Sequence, residues 1–369
     1  MSGRGTGMKG KPGMEVKKSM KTYWNDTVLG GNERDVSLDA LRILGITMVL
    51  FNHNNLYYAF FLRREQCDLL YWLEIVFSMI SKCGSPLFFM VSGALLLKKD
   101  EKYSYTLRHR VLRMVIVMLA CSFIASSYKA DFNVFLDHLF SGLNWYFYAY
   151  LAFLLMLPFI RIFVKGLDSR SGRNFCCMVF LVQTVILLLI YSEKDYTLFN
   201  STLLLSTWWA SGNWLFIFPI LGCLLHERIA ASEKKDFLVV AGAAVFTLAV
   251  CTVIMHFDIR FHDGNNLENL RQHAAFALSA FIMLAVRPLE KVRGKTAFVI
   301  HQAAGTVFGI FILDVNTVLP DRIADLVRSA VGGHVGFITQ EWLIIPAQLI
   351  IMGTIIWILR LIPPIRKLI

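Results

Sequence analysis

Apolar residues in this chain come in blocks of about twenty, separated by short polar stretches, and the blocks show little amphipathic alternation. A helix rises about 1.5 Å per residue, so such a block crosses a bilayer core of roughly 30 Å. The pattern predicts helices at residues 38–60, 70–97, 109–128, 144–164, 174–192, 203–225, 236–257, 270–286, 297–315 and 341–362. Between the last two, DRIADLVRSAVGG has the amphipathic character of a segment lying at a membrane surface. The expected fold is an all-α polytopic membrane bundle of about ten transmembrane helices, without an internal repeat.

Residues 1–36 differ from all the rest. They are basic and Gly-rich (MSGRGTGMKGKPGMEVKK) and read as a disordered cytoplasmic tail, leaving 37–369 as one membrane-embedded domain. The first apolar run starts only near Leu38, so no cleavable signal peptide is expected.

Composition agrees with the pattern. The chain has 369 residues, of which 56% are hydrophobic and 17% charged. Its mean hydropathy is +0.56. Soluble domains carry roughly a quarter charged residues, which excludes a soluble enzyme or secreted domain. The net charge of +11 suggests a polyanion partner, but the basic residues sit in short clusters between apolar blocks. That is the mark of membrane topology, and nucleic acid is not an expected partner. With the N-terminus cytoplasmic, 27 Lys and Arg fall on that side and 8 on the other, with Arg42 and Lys82 inside spans. The bias places both termini in the cytoplasm and predicts an even number of spans. Seven cysteines without a CxxC imply no disulfide framework and no metal site.

Charged or titratable groups inside a span are expensive and point to function. The first span, SLDALRILGITMVLFNHNNLYYAFF, holds Asp39, Arg42 and His53. Arg42 and His53 are eleven residues apart, about 16 Å of rise, and eleven steps of about 100° return to one face. Arg42 then lies near the cytoplasmic surface and His53 beyond mid-membrane. A cation at the mouth can hold an anion, and an imidazole deeper in can move a proton. The same residues also fit a plainer account, with Arg42 snorkelling to headgroups and His53 bonded to a buried carbonyl.

The second span is interrupted by Lys82, Gly84, Ser85 and Pro86, and carries Ser92-Gly93 further on. Pro86 predicts a kink, and the small residues allow close packing or a cavity lining. After it, Lys98, Lys99, Lys102, Arg108, Arg110 and Arg113 serve either as topological flanking charge or as a site for a phosphorylated ligand.

Taken together these segments resemble the acyltransferase-3 family of bacterial membrane enzymes. Arg42 and His53 have the spacing of its Arg-X10-His motif, and SKCGSPLFFMVSGALLL and LNWYFYAYLAFLLMLPFIR are similar to its second and fourth helices. LRHRVLRMVIVML and TVFGIFILD are similar to its third helix and to its penultimate one. Lys82 stands where Arg is usual, Ser85 where Val is usual, and Asn144 and Asp314 where His is usual. The chain is similar to the subgroup that includes the enterobacterial common antigen O-acetyltransferase.

The resemblance implies a multi-pass enzyme of the bacterial plasma membrane. It would move an acetyl or other short acyl group from cytoplasmic acyl-CoA to a hydroxyl of an envelope glycan or lipid-linked glycan precursor. Acetyl-CoA would be a substrate, with no bound cofactor and membrane lipid as surroundings. The implied roles are His53 as general base, or as carrier of a transient acyl group, and Arg42 as donor-orienting or oxyanion-stabilising cation. Lys82, Arg110 and Arg113 would hold donor phosphates. Asn52, Ser92, Asn144, Trp145 and Asp314 would contact the acceptor, Trp145 by stacking on a sugar or else as an interfacial anchor. An exporter of surface polysaccharide is the alternative, though a carrier gives no reason for the Arg42–His53 spacing.

Overall fold

The computed structural model describes residues 34–54, 59–127, 132–140, 145–192, 216–229, 234–261, 264, 267–331 and 337–368. Among these there is no strand, and eight helices are long and apolar enough to cross a membrane. The protein is an all-α multi-pass membrane protein. The tail expected at 1–36 and the start of the span expected at 203–225 fall largely outside the described residues.

The first helix, α1 (Val36–His53), starts at Asp35, whose side chain accepts hydrogen bonds from the Ser37 and Leu38 amides. An acidic N-cap satisfies amides that have no partner within the helix. The second span is two helices, α2 (Leu69–Ser81) and α3 (Gly84–Leu96). The break falls at residues 82 and 83, ahead of the expected kink. Pro86 sits in the first turn of α3, where its missing N–H leaves no hydrogen bond unmade.

A π-helical turn, Thr106–Val111, leads into α4 (Leu112–Ser127). Then follow α5 (Trp145–Gly166), α6 (Ser169–Ser192), α7 (Phe218–Leu224), α8 (Lys234–Phe261) and α9 (Leu267–Val286). The chain closes with α10 (Gly294–Asn316), the amphipathic α11 (Leu319–Val331), α12 (Phe337–Leu359) and α13 (Pro363–Leu368).

Outward faces are apolar. Leu238, Val239, Val245 and Phe246 of α8 are each 59–68% exposed, as a lipid-facing helix requires. Inside, small residues set the contacts. A Cβ on Gly84 would stand 2.7 Å from the Gly45 carbonyl oxygen, so α1 and α3 touch backbone to backbone. Gly93 of α3 meets Pro219, and Gly222 of α7 meets Met90, with equally little room for a methyl. Arg161 of α5 is buried and donates twice to the Leu96 carbonyl, at 3.1 and 2.9 Å, satisfying the end of α3.

Helices α1 and α10 run side by side in the same direction. Asp39 meets His301 near their starts, and His53 meets Asp314 near their ends. Helices α1, α3 and α5 line both cavities described next, and α10 lines the first of them.

Candidate functional site

At the Arg42 end lies a cavity of about 660 Å³ whose wall includes five arginines: Arg34, Arg42, Arg110, Arg113 and Arg360. Arg42 of α1 is held by Asp39, Nη1 to Oδ1 at 2.5 Å. Asp39 is almost wholly buried and also binds Arg34 at 2.9 Å and the Nδ1 of His301 at 2.7 Å. Its carboxylate fixes Arg42 from behind and leaves the guanidinium on the cavity. Arg110 is gripped by Glu101, Nη2 to Oε1 at 2.7 Å and Nε to Oε2 at 3.1 Å. That bond holds the Glu101 carboxyl below the usual carboxylate range.

Arg113 of α4 donates from Nε to the Leu368 carbonyl at 3.0 Å and lies over the Phe308 ring, 5.9 Å from its centroid. The Arg360 head group rests where a side chain at Gly305 would be, and among the described residues its buried Nε has no hydrogen-bond partner. Burial, then the neighbouring charge of Arg366, pushes the Arg360 guanidinium below its ordinary pKa. A buried donor without a partner beside four other guanidiniums is a demand for an anion.

Toward the other end of α1 lies a second cavity, of about 230 Å³, walled by Asn52, His53, Ser81, Lys82, Ser85, Trp145, Glu268 and Gln272 together with Val49. His53 Nδ1 lies 2.5 Å from Asp314 Oδ2; Asp314 is 3% exposed and His53 39%. A buried carboxylate accepts from Nδ1–H, so the Nε2 lone pair is left for a proton from outside. Lys82 pairs with Glu268. Glu268 also meets Arg271 at 3.3 Å, and Arg271, 1% exposed, donates to Asn52 Oδ1 at 2.5 Å and to the Ser78 carbonyl at 3.1 Å.

Among the described residues the two cavities share no wall residue, and rings stand between them. On α3, Ser85 lines the second cavity, while Phe88 and Ser92, on the same helical face, line the first. On α5, Trp145 and Tyr146 divide in the same way. Tyr146 packs against Phe88, Phe89 and Phe311, with centroids 6.2, 5.4 and 5.0 Å apart.

The structure thus brings Arg42, Arg110, Arg113 and Ser92 into the first cavity, and Asn52, His53, Lys82 and Trp145 into the second. Lys82, expected among donor phosphates, is instead beside His53. Ser92, expected at the acceptor, is with the arginines. Asp314 binds His53, and Asn144 lies outside the described residues. Sequence reasoning missed Arg34 and Arg360, which it counted as flanking charge, and Glu268, Arg271, Gln272 and His301. An arginine inside the span expected at 270–286 was the available signal for Arg271.

A third hollow gathers Asp35, His226 and Glu290, whose ligand atoms lie within 4.8 Å of one another, a spacing that could hold a metal ion. Arg34, Lys98, Arg287 and Arg293 line the same hollow, and Arg287 Nε is 3.3 Å from Glu290. The carboxylates therefore have protein countercharge already, and the cluster ties α1 to the ends of α7 and α9. Although burial opposes it, hydrogen bonds from His226 and Ser37 hold the Asp35 carboxyl below its usual range.

Compared with known proteins, the chain matches the family described as an acyltransferase domain over residues 35–360. No significant match to a curated protein or to a solved structure accompanies it.

Proposed function

Since the chain belongs to this acyltransferase family, we propose that it transfers an acetyl or similar short acyl group from acyl-CoA to a hydroxyl of a cell-envelope glycan or its lipid-linked precursor. The observation that carries the reading is the placement of Arg42 and His53. One helix presents Arg42 to a cavity built for an anion and, about 16 Å further along, presents His53 with its carboxylate to a separate polar cavity.

In this reading the arginine cavity takes the donor phosphates, and the thioester arm reaches toward His53. The Nε2 of His53 removes the acceptor hydroxyl proton as the oxygen attacks the thioester carbon. The C–S bond breaks, an ester C–O bond forms, and the proton passes to the departing thiolate. Asp314 holds the imidazole in the basic tautomer and stabilises it when protonated. Arg42 is too far from His53 to serve the oxyanion, so its role is donor binding. Lys82, the cation in the His53 cavity, is the better placed group for oxyanion charge. Trp145 offers a flat apolar face among polar groups, which suits a sugar. The surplus of basic residues on the Arg42 side orients the donor cavity to the cytoplasm of a bacterial plasma membrane.

The test uses the protein in lipid vesicles with acyl-labelled CoA and a mixed extract of lipid-linked glycans. Label reaching glycan with wild type and not with His53→Ala supports enzyme and base together. Transfer by both proteins removes His53 from catalysis. Transfer by neither, with folding shown, moves the reading to a glycan exporter.

A further inference from the structure

The arginine cavity has an aromatic part that phosphate binding leaves unused. The rings of Tyr105 and His109 lie stacked, with centroids 4.2 Å apart and planes 19° from parallel. His109 Nδ1 is 3.2 Å from the Tyr105 carbonyl, a hydrogen bond that fixes the imidazole on the phenol ring. Both residues are exposed, and both line the cavity.

Their backbone explains why they face the arginines. Tyr105 immediately precedes the π-helical turn Thr106–Val111, which carries His109 and Arg110, and Arg113 follows in the first turn of α4. In a regular α-helix His109 and Arg110 would point about 100° apart. The wider π-turn brings neighbouring side chains closer in azimuth, and here both reach the same cavity wall. Stacked flat rings beside guanidiniums match a ligand with a flat aromatic base joined to phosphates, since every base offers a π-face.

We propose that Tyr105 and His109 are the platform on which the adenine of the acyl-CoA donor stacks, next to the arginines that take its phosphates. This rests on the reading of the cavity as the donor site. It adds a discrimination that arginines cannot make: they hold any phosphate, whereas the platform selects a thioester that carries a nucleotide.

The test compares two donors on the full-length protein in lipid vesicles, CoA thioester and phosphopantetheine thioester, which share the reacting group and differ in the nucleotide. Binding of each is measured directly, and KM and kcat for transfer alongside. The variants are Tyr105→Leu, which keeps an apolar side chain but no flat ring, and Tyr105→Phe, which keeps the ring. The expected result is a rise of about 10-fold in Kd and KM for the CoA thioester with Tyr105→Leu, with kcat unchanged. Phosphopantetheine thioester should bind both proteins alike, and Tyr105→Phe should restore the wild-type values. A rise shared by both donors, or no rise for either, overturns the platform and leaves the donor cavity standing; Tyr105 is then an interfacial anchor. Failure of wild type to bind either donor overturns the donor cavity and the platform with it.

Discussion

The two cavities differ in how their charges are settled. In the arginine cavity five guanidiniums face two carboxylates, Asp39 and Glu101, and both acids stand behind the wall. Among the described residues the surplus has no carboxylate partner, and Arg360 Nε is left without a hydrogen bond. In the His53 cavity the charges close on one another, Lys82 and Arg271 on Glu268 and His53 on Asp314. A wall with unmet charge waits for an anion. A wall with charge paired internally suits a neutral hydroxyl, and its fixed dipoles act on charge only as a reaction develops it. In the proposed function, ligand binding and proton transfer would have separate electrostatics along one helix.

The sharpest way to break this contrast is at His53. His53→Ala should lower transfer by about 10²- to 10⁴-fold while donor binding stays at the wild-type level. Asp314→Asn should act in the same direction with a smaller loss, about 10-fold or more. Steady-state kinetics beside direct donor binding checks both. If donor binding falls as far as turnover, the division of labour is wrong.

Next in size is Arg113→Ala, which removes a charged donor from the first wall. A hydrogen bond to a charged group is worth about 1.5–3 kcal/mol, so donor KM should rise roughly 10- to 100-fold with kcat unchanged. Raising the salt concentration should weaken donor binding and leave the acceptor KM nearly flat, because only one cavity depends on unscreened charge.

A smaller and cleaner probe is Gly305→Ala. The added methyl takes the place of the Arg360 head group, a flexible side chain that can move aside. Donor KM should rise a few-fold, with thermal stability within about 0.5 kcal/mol of wild type. An unchanged KM would remove Arg360 from the donor site.

The smallest effect lies outside both cavities. Asp35→Asn keeps the cap but loses the charge that faces His226, a change of up to about 1 kcal/mol in stability. Folding lowers the pKa of this carboxyl. Its contribution is therefore complete above the unfolded-state value of about 3.9 and is lost as pH falls through the lower folded value. Thermal unfolding of the two proteins should differ at pH 7 and converge only in strong acid.

Much of the fold could be read from the chain, because a membrane span is a local property of about twenty consecutive residues. The separation of Arg42 and His53 by about 16 Å on one face was legible for the same reason, being one helix's own geometry, but their division between two cavities was not. Contacts made across the bundle were not. Asp314 could be recognised as a departure from a family pattern, but its bond to His53 joins residues 261 positions apart. Arg34 and Arg360 read as flanking charge because only the docking of α1 and α12 turns them inward. The break at residue 82 rather than at Pro86 shows one more limit. A proline in the first turn of a helix is accommodated, so it marks a start as readily as a kink.

The rings of Phe88, Tyr146 and Phe311 have a consequence beyond catalysis. Polar hollows enter the bundle from its two ends, and their walls come within a helical turn of each other, Ser85 and Phe88 on α3 and Trp145 and Tyr146 on α5. Across an energised membrane most of the voltage would fall over that short distance, about 2.3 kcal/mol per unit charge for every 100 mV. Those rings are therefore the bundle's electrical insulation. In the proposed reaction an acyl-bearing arm would have to pass them without opening a continuous thread of water, or each turnover would discharge the membrane that the enzyme lives in.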